Sequence, residues 1–180
     1  LDEFKDGLFF VQNESAQLVG LIARPDNCIS VLDCCSAPGG KATHISELTN
    51  DTAKVLALDI NESRLELIKE NADRLGIKNI DVKVADSMNL DATIGDEKYD
   101  MVICDVPCSG LGLMSRKPDI RQTITYERIE ELLPKQREIF LNGSKHVKSG
   151  GKLIYSNCTM NKKENEDAIA YFLENNSEFR

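Results

Sequence analysis

Ile29-Ser30-Val31-Leu32-Asp33-Cys34-Cys35-Ser36-Ala37-Pro38-Gly39-Gly40-Lys41 runs from a β-rich apolar segment, through a turn, into a helical pattern. Residues 29–33 read as a first strand, and Gly39 and Gly40 turn the chain into a helix ending near Leu48. Downstream the same unit recurs. Residues 54–59 (KVLALD) form a second strand. Asn61 then caps a helix over residues 62–75 whose Leu65, Leu67, Ile68, Ala72 and Leu75 share a face, and Gly76 stops it. Residues 80–85 alternate Ile80, Val82 and Val84 with charged residues, as a strand near a sheet edge does, whereas residues 99–104 (YDMVIC) are nearly continuously apolar. A long loop over residues 106–125 leads to a helix over 126–147, adjusted near Pro134 because proline has no N–H to give the ladder. Ser149-Gly150-Gly151 introduces a fifth strand, residues 152–156, and residues 161–175 read as an amphipathic helix with an Asn161…Glu164 capping box. Upstream, residues 1–24 form a lead-in containing a helix over 13–23.

Strands alternating with helices feed a mostly parallel sheet, because parallel neighbours need a crossover connection and the crossovers are right-handed. The expectation is an α/β fold, doubly wound in strand order 3-2-1-4-5, with helices on both faces in three α/β/α layers. With 180 residues and 41% hydrophobic content there is room for one domain, residues 1–180, with a real core. No apolar run approaches the roughly 18 residues that cross a bilayer, and the acidic start Leu1-Asp2-Glu3 does not suit a targeting peptide, so no membrane partner and a cytoplasmic location are expected. The chain opens at Leu1 and stops at Arg180 just after a helical stretch, and is read as a fragment of a longer protein.

The six cysteines contain no C-x-x-C pair, and only His44 and His146 could join them in a metal site, so free thiols and no metal are expected. The net charge of −8 argues against a domain that grips nucleic acid unaided, which ordinarily presents a basic face to the phosphates.

In open α/β sheets ligands bind beyond the carboxyl ends of the strands at the switch point, here the loop Cys35-Ser36-Ala37-Pro38-Gly39-Gly40-Lys41. A phosphate loop would need glycine at position 35 and a hydroxyl residue at 42, where Cys35 and Ala42 stand, and no third glycine completes a dinucleotide fingerprint. A nucleoside without a pyrophosphate remains. Asp59, 19 residues after Gly40, sits where a carboxylate can accept both ribose hydroxyls, and Asp86 where an adenine amino group would come. Either aspartate alone could equally be a helix cap or a turn residue. With Asp105 they place acids at the ends of strands two, three and four, and with the glycine turn they describe an S-adenosylmethionine pocket. Cys108 and Cys158 follow strands four and five and so flank the same cleft, whereas Cys28, Cys34 and Cys104 read as small buried hydrophobes.

The runs Cys35 to Lys41, Asp105-Val106-Pro107-Cys108-Ser109-Gly110 and Tyr155-Ser156-Asn157-Cys158-Thr159 resemble the cofactor loop and two cysteine motifs of the Nop/Sun RNA cytosine-C5 methyltransferases. Gly7-Leu8-Phe9-Phe10-Val11-Gln12-Asn13-Glu14-Ser15 is similar to that family's lead-in, and Arg116-Lys117-Pro118-Asp119-Ile120 is similar to a stretch of its bacterial Sun (RsmB) branch, whose members modify small-subunit ribosomal RNA. Ser36, Val106 and Asn157 depart from the family's usual Ala, Ala and Thr without touching a reacting group. The resemblance implies a Rossmann-like class I methyltransferase domain. The family's last two strands and its N-terminal RNA-binding helical domain find no counterpart in this chain's pattern.

By that resemblance Cys158 attacks C6 of cytosine, Asp105 acts on the ring near N3, Cys108 helps release product, and Lys41 lies near the methionine carboxylate or is solvated at the helix start. The implied partners are S-adenosylmethionine and an RNA, 16S rRNA by branch, presented as a single strand or an opened loop, with the protein a monomer. Arg116, Lys117 and Arg121 either contact phosphates or form a solvated loop surface, and Arg64 reads as a surface residue. A transfer RNA substrate, or a non-catalytic adenosyl- and RNA-binding module, are the rival readings; the paired thiols speak against the second.

Overall fold

The computed structural model describes all 180 residues. Five strands, β1 (Ser30–Asp33), β2 (Lys54–Asp59), β3 (Ile80–Val84), β4 (Tyr99–Asp105) and β5 (Val147–Ser156), form one sheet in the order β3-β2-β1-β4-β5. Every neighbouring pair is parallel. The helices are α1 (Asp2–Lys5), α2 (Glu14–Ala23), α3 (Gly40–Leu48), α4 (Glu62–Leu75), α5 (Asp91–Ile94), α6 (Ile120–Thr123), α7 (Tyr126–Lys145) and α8 (Glu166–Asn175). The doubly wound α/β expectation holds, including β3 at an edge.

Successive strand residues point to opposite faces, so one sheet carries two cores. Val31, Val55, Ala57, Met101 and Ile103 face Ala23 of α2, Ala42 and Ile45 of α3, and Leu65 and Ile68 of α4. Leu32, Leu58, Val102 and Cys104 face the other way, against Ile139 and Phe140 of α7 and Phe172 of α8. Burial of such side chains is worth about 1.5–3 kcal/mol each and is the main force holding the three layers together. Phe140 anchors the second core, its ring centroid 4.8 Å from Tyr155 and 4.3 Å from Phe172.

Local signals act where the sequence placed them. Asn61 Oδ1 accepts from the Ser63 N–H at 3.0 Å, and Gly76 closes α4 at φ 73°. Three expectations need correction. Helix α7 continues through Pro134 without a break, because Leu133, Gln136, Ile139 and Phe140 bury its face on both sides of the proline and hold the helix in line. Strand β5 begins at Val147 rather than 152, since Tyr99 pairs with Val147 and Met101 with Lys152, which leaves the intervening β5 residues as a bulge. The capping box at Asn161 does not form: Asn161 Oδ1 accepts from the Lys163 N–H at the head of a 3-10 turn over Lys162–Glu164, and α8 starts only at Glu166. Glu164 turns inward instead.

Candidate active site

Strands β1 and β4 lie side by side, yet the chain leaves them toward opposite faces, which opens a crevice at their carboxyl ends. A cavity of about 490 Å³ occupies it, within the roughly 300–1,000 Å³ typical of small-molecule sites. Cys35, Ala37, Asp59, Asp86, Asp105, Cys108 and Cys158 line it, with Ile60, Met88, Pro107 and Ile139 as an apolar wall that no sequence motif announced. Ser36, Pro38 and Gly39 belong to the loop and Gly40 and Lys41 open α3, but none of the five lines the cavity, contrary to the expectation that the whole run does. The glycines admit the protein's own packing: a Cβ on Gly39 would stand 3.1 Å from Ile68 Cγ2, and one on Gly40 would stand 3.0 Å from Phe10 Cε1.

Each aspartate meets a different environment. Asp59 is 4% exposed; its Oδ1 accepts from the Asn61 N–H at 3.0 Å and its Oδ2 lies 3.4 Å from Arg64 Nη1. Arg64 Nη2 donates to the Ala37 carbonyl at 2.6 Å, so Arg64 ties the end of β2 to the loop after β1. It is not the plain surface residue expected, because its long stem reaches back from the first turn of α4 over the cavity rim. Asp86 is exposed and accepts from the Met88 N–H at 3.0 Å, a turn geometry that still leaves it on the cavity wall. Asp105 accepts from Lys41 Nζ at 2.7 Å on one oxygen and from Ser156 Oγ at 2.8 Å on the other.

Beneath the loop, Asp33 is fully buried and neither carboxylate oxygen has a hydrogen-bond partner. Burial, then the negative charge of Asp105, pushes its carboxyl up to about 7. Sequence reading passed over it as the last residue of a strand.

Cys108 and Cys158 converge on the cavity with their sulfurs 3.1 Å apart, and the Cys158 N–H donates to Cys108 Sγ at 3.2 Å. A neutral Cys108 thiol satisfies both contacts, giving its S–H to Cys158 while its lone pair accepts the backbone N–H. That donation brings the Cys158 thiol down to about 7, against the effects of burial and Asp105 and with help from the Lys41 charge. Cys108 moves the other way, raised because its proton is held by Cys158 and because it is partly buried. Cys158 is exposed, and its thiol is lowered toward neutrality. The remaining cysteines are free thiols: Cys34 and Cys104 are buried with their sulfurs 3.8 Å apart, and Cys28 is half-buried. Arg116 and Lys117 stand exposed on the loop before α6, and Arg121 stands exposed within α6, a short helix inside the stretch expected to be loop.

The sequence profile of the family described as 16S rRNA methyltransferase RsmB/F matches residues 20–180. The chain is 38% identical over 176 residues to the probable ribosomal RNA small subunit methyltransferase B of Bacillus subtilis (strain 168), covering 98% of this chain and 39% of that protein. It is 40% identical over 177 residues to the ribosomal RNA small subunit methyltransferase B of Enterobacter sp. (strain 638), covering 98% and 41%. The chain thus spans about two fifths of the length of these relatives. Among solved structures it superposes on PH0851 with a TM-score of 0.93 at 33% identity, covering 97% of this chain and 39% of that one. On NSun6 from Pyrococcus horikoshii, solved with SFG, the TM-score is 0.88 at 30% identity, covering 97% and 44%.

Proposed function

The chain belongs to the RsmB/F family of 16S rRNA methyltransferases, and from that premise we propose that it is the catalytic domain, residues 1–180, of an S-adenosylmethionine-dependent RNA cytosine-C5 methyltransferase acting on 16S rRNA. One observation carries the reading: an exposed thiol with a lowered pKa, Cys158, and its partner Cys108 stand on the wall of a cavity that also holds Asp59, Asp86 and Asp105.

The cavity fits the cofactor. Its volume suits a nucleoside, Asp59 and Asp86 offer acceptors at the ends of β2 and β3, and Ile60, Met88 and Ile139 offer an apolar wall to a base. Cys35 and Ala37 line the cavity from the loop after β1, and the orphaned Ser36 Oγ lies buried in the same loop. When bound, S-adenosylmethionine supplies an electrophilic methyl group on a sulfonium.

Cytosine C5 is a poor nucleophile until the ring is activated by addition at C6, a task suited to a thiolate. Cys158 forms the bond to C6, which gives C5 the electron density to take the methyl, and Asp105, held by Lys41 and Ser156, hydrogen-bonds the ring near N3 as an acceptor from its exocyclic amino group. After methylation, the C5 proton passes to a base or to solvent, the electron pair re-forms the C5–C6 double bond and the Cys158 thiolate leaves, with Cys108 assisting release. The cleft admits a base only when it has left its stack, so the substrate is a single-stranded or opened segment of RNA. The acidic chain leaves most of the grip on phosphate to other parts of the assembly.

Transfer of labelled methyl from S-adenosylmethionine to 16S rRNA, measured with the complete protein, tests this reading. Cys158→Ala is expected to abolish transfer while cofactor binding stays within about twofold of the parent. Retained turnover would reassign the nucleophile.

A further inference from the structure

Glu164 is fully buried, carries no cation beside it, and lies six residues beyond Cys158 in a segment that no part of the proposed chemistry uses. An ionised carboxylate offers about four lone-pair sites, and here four donors fill them: the Ser109 N–H at 2.9 Å, Ser109 Oγ at 2.6 Å, Gln136 Nε2 at 2.8 Å and Asn161 Nδ2 at 3.1 Å. Burial alone would raise its carboxyl, but the Ser109, Gln136 and Asn161 bonds together leave it below the ordinary value, so it is a carboxylate. A buried charge stands without a counter-ion only where several dipoles are organised around it.

The partners divide between the two cysteine loops. Ser109 is the residue after Cys108, and Gln136 Nε2 also donates to the Pro107 carbonyl at 2.9 Å, so the carboxylate grips the Cys108 loop directly and through α7. The backbone carbonyl of the same Glu164 accepts from Tyr155 Oη at 2.7 Å and from Asn157 Nδ2 at 3.0 Å, the residues leading into Cys158. Ser109 Oγ and Thr159 Oγ1, 2.7 Å apart, close the ring. One residue therefore holds both loops, the first with its side chain and the second with its main chain, and between them lies the pair of sulfurs.

We infer that Glu164 is a positioning residue which clamps the Cys108 loop to the Cys158 loop and so sets the thiol–thiol contact on which Cys158 reactivity depends. The inference rests on assigning both thiols to one active site, but its test needs neither RNA nor cofactor. If the clamp loosens, the Cys108 S–H no longer reaches Cys158 Sγ, and a thiolate deprived of its donor is harder to form.

The test is the pH profile of iodoacetamide alkylation at Cys158 in the full chain, read by peptide mass spectrometry. The parent is expected to show a midpoint near 7. Cys108→Ala should move that midpoint up by at least about one unit. Glu164→Gln, which keeps the shape but turns an acceptor into a donor facing Gln136, should move it the same way, as should Glu164→Ala. The double variant Glu164→Gln with Cys108→Ala should move it no further than Cys108→Ala alone, because the clamp acts through Cys108. A midpoint unchanged in the Glu164 variants, or a double variant whose shift is the sum of the singles, overturns the clamp. Where Glu164→Ala fails to fold, Glu164→Gln decides. A shifted midpoint in a protein that methylates no RNA cytosine would keep the clamp and remove the proposed function, so the two failures are distinguishable.

Discussion

Lys41 Nζ lies 2.7 Å from Asp105 Oδ2, joining the second residue of α3 to the last residue of β4 across 64 residues of chain. Both side chains are largely withdrawn from solvent, so the pair is more than a surface ion pair. With Ser156 on its other oxygen, Asp105 is fixed in direction, as its proposed action on one part of a ring requires. Lys41→Met keeps the aliphatic stem and removes the charge. A hydrogen bond to a charged group is worth about 1.5–3 kcal/mol, so methyl transfer by the complete protein should fall roughly 10- to 150-fold. An undiminished rate would show that Ser156 alone orients Asp105.

Cys108 stands at donor distance from the proposed nucleophile, and its loss removes the group proposed to assist release. Cys108→Ala is expected to trap the enzyme on its substrate, visible as a slower protein–RNA band on denaturing gels that disappears when Cys158→Ala is added. Absence of the band in the single variant would assign release to another group.

Asp59 and Arg64 hold the rim between β2 and the loop after β1. Asp59→Asn should weaken S-adenosylmethionine binding by about 1.5–3 kcal/mol, the worth of a charge-assisted hydrogen bond. Arg64→Ala, which frees the Ala37 carbonyl but leaves the acceptor in place, should cost less than Asp59→Asn. Calorimetry that finds both variants equal to the parent would take this rim out of the cofactor site.

The buried Asp33 couples stability to pH in the direction opposite to a salt-bridged carboxylate. Its folded-state value of about 7 lies above the ordinary value of 3.8, so between these limits the folded chain keeps a proton that the unfolded chain has released. Stability from this group is therefore intact below about pH 4, is lost as pH rises, and the penalty is complete above about pH 7. Asp33→Asn should stabilise the chain at about pH 8 by an amount on the order of a few kcal/mol, and far less at about pH 4. Denaturant midpoints at the two pH values measure it; an equal difference at both would show that the carboxyl is already ionised in the fold.

Phe140 packs against Tyr155 and Phe172 and so joins α7, β5 and α8. Phe140→Ala should cost about 3–5 kcal/mol in denaturant unfolding. Because Tyr155 also donates to the Glu164 carbonyl, the same variant should slow Cys158 alkylation near neutral pH. Stability lost without any change in thiol reactivity would uncouple the aromatic cluster from the cysteine loops.

The strand order, the helix pattern from Gly40 to Gly76 and the gathering of Asp59, Asp86, Asp105, Cys108 and Cys158 were all legible before any coordinates, because periodicity and turn residues are local and the parallel crossover rule converts them into a topology. What could not be read was where side chains go after the strands end. Glu164 spaced three residues from Asn161 looks like half of a capping box, and only the approach of Ser109 and Gln136 turns it inward. Arg64 looks like any charged residue on a helix until Ala37 is brought beneath it. Strand periods, caps and motif spacing were written in the chain because each depends on residues a few positions apart. The Lys41–Asp105 contact, the raised carboxyl of Asp33 and the inward turn of Glu164 were decided by tertiary structure, because each depends on a group distant in the chain, Asp105 for the first two and Ser109 for the third, whose approach no local pattern encodes.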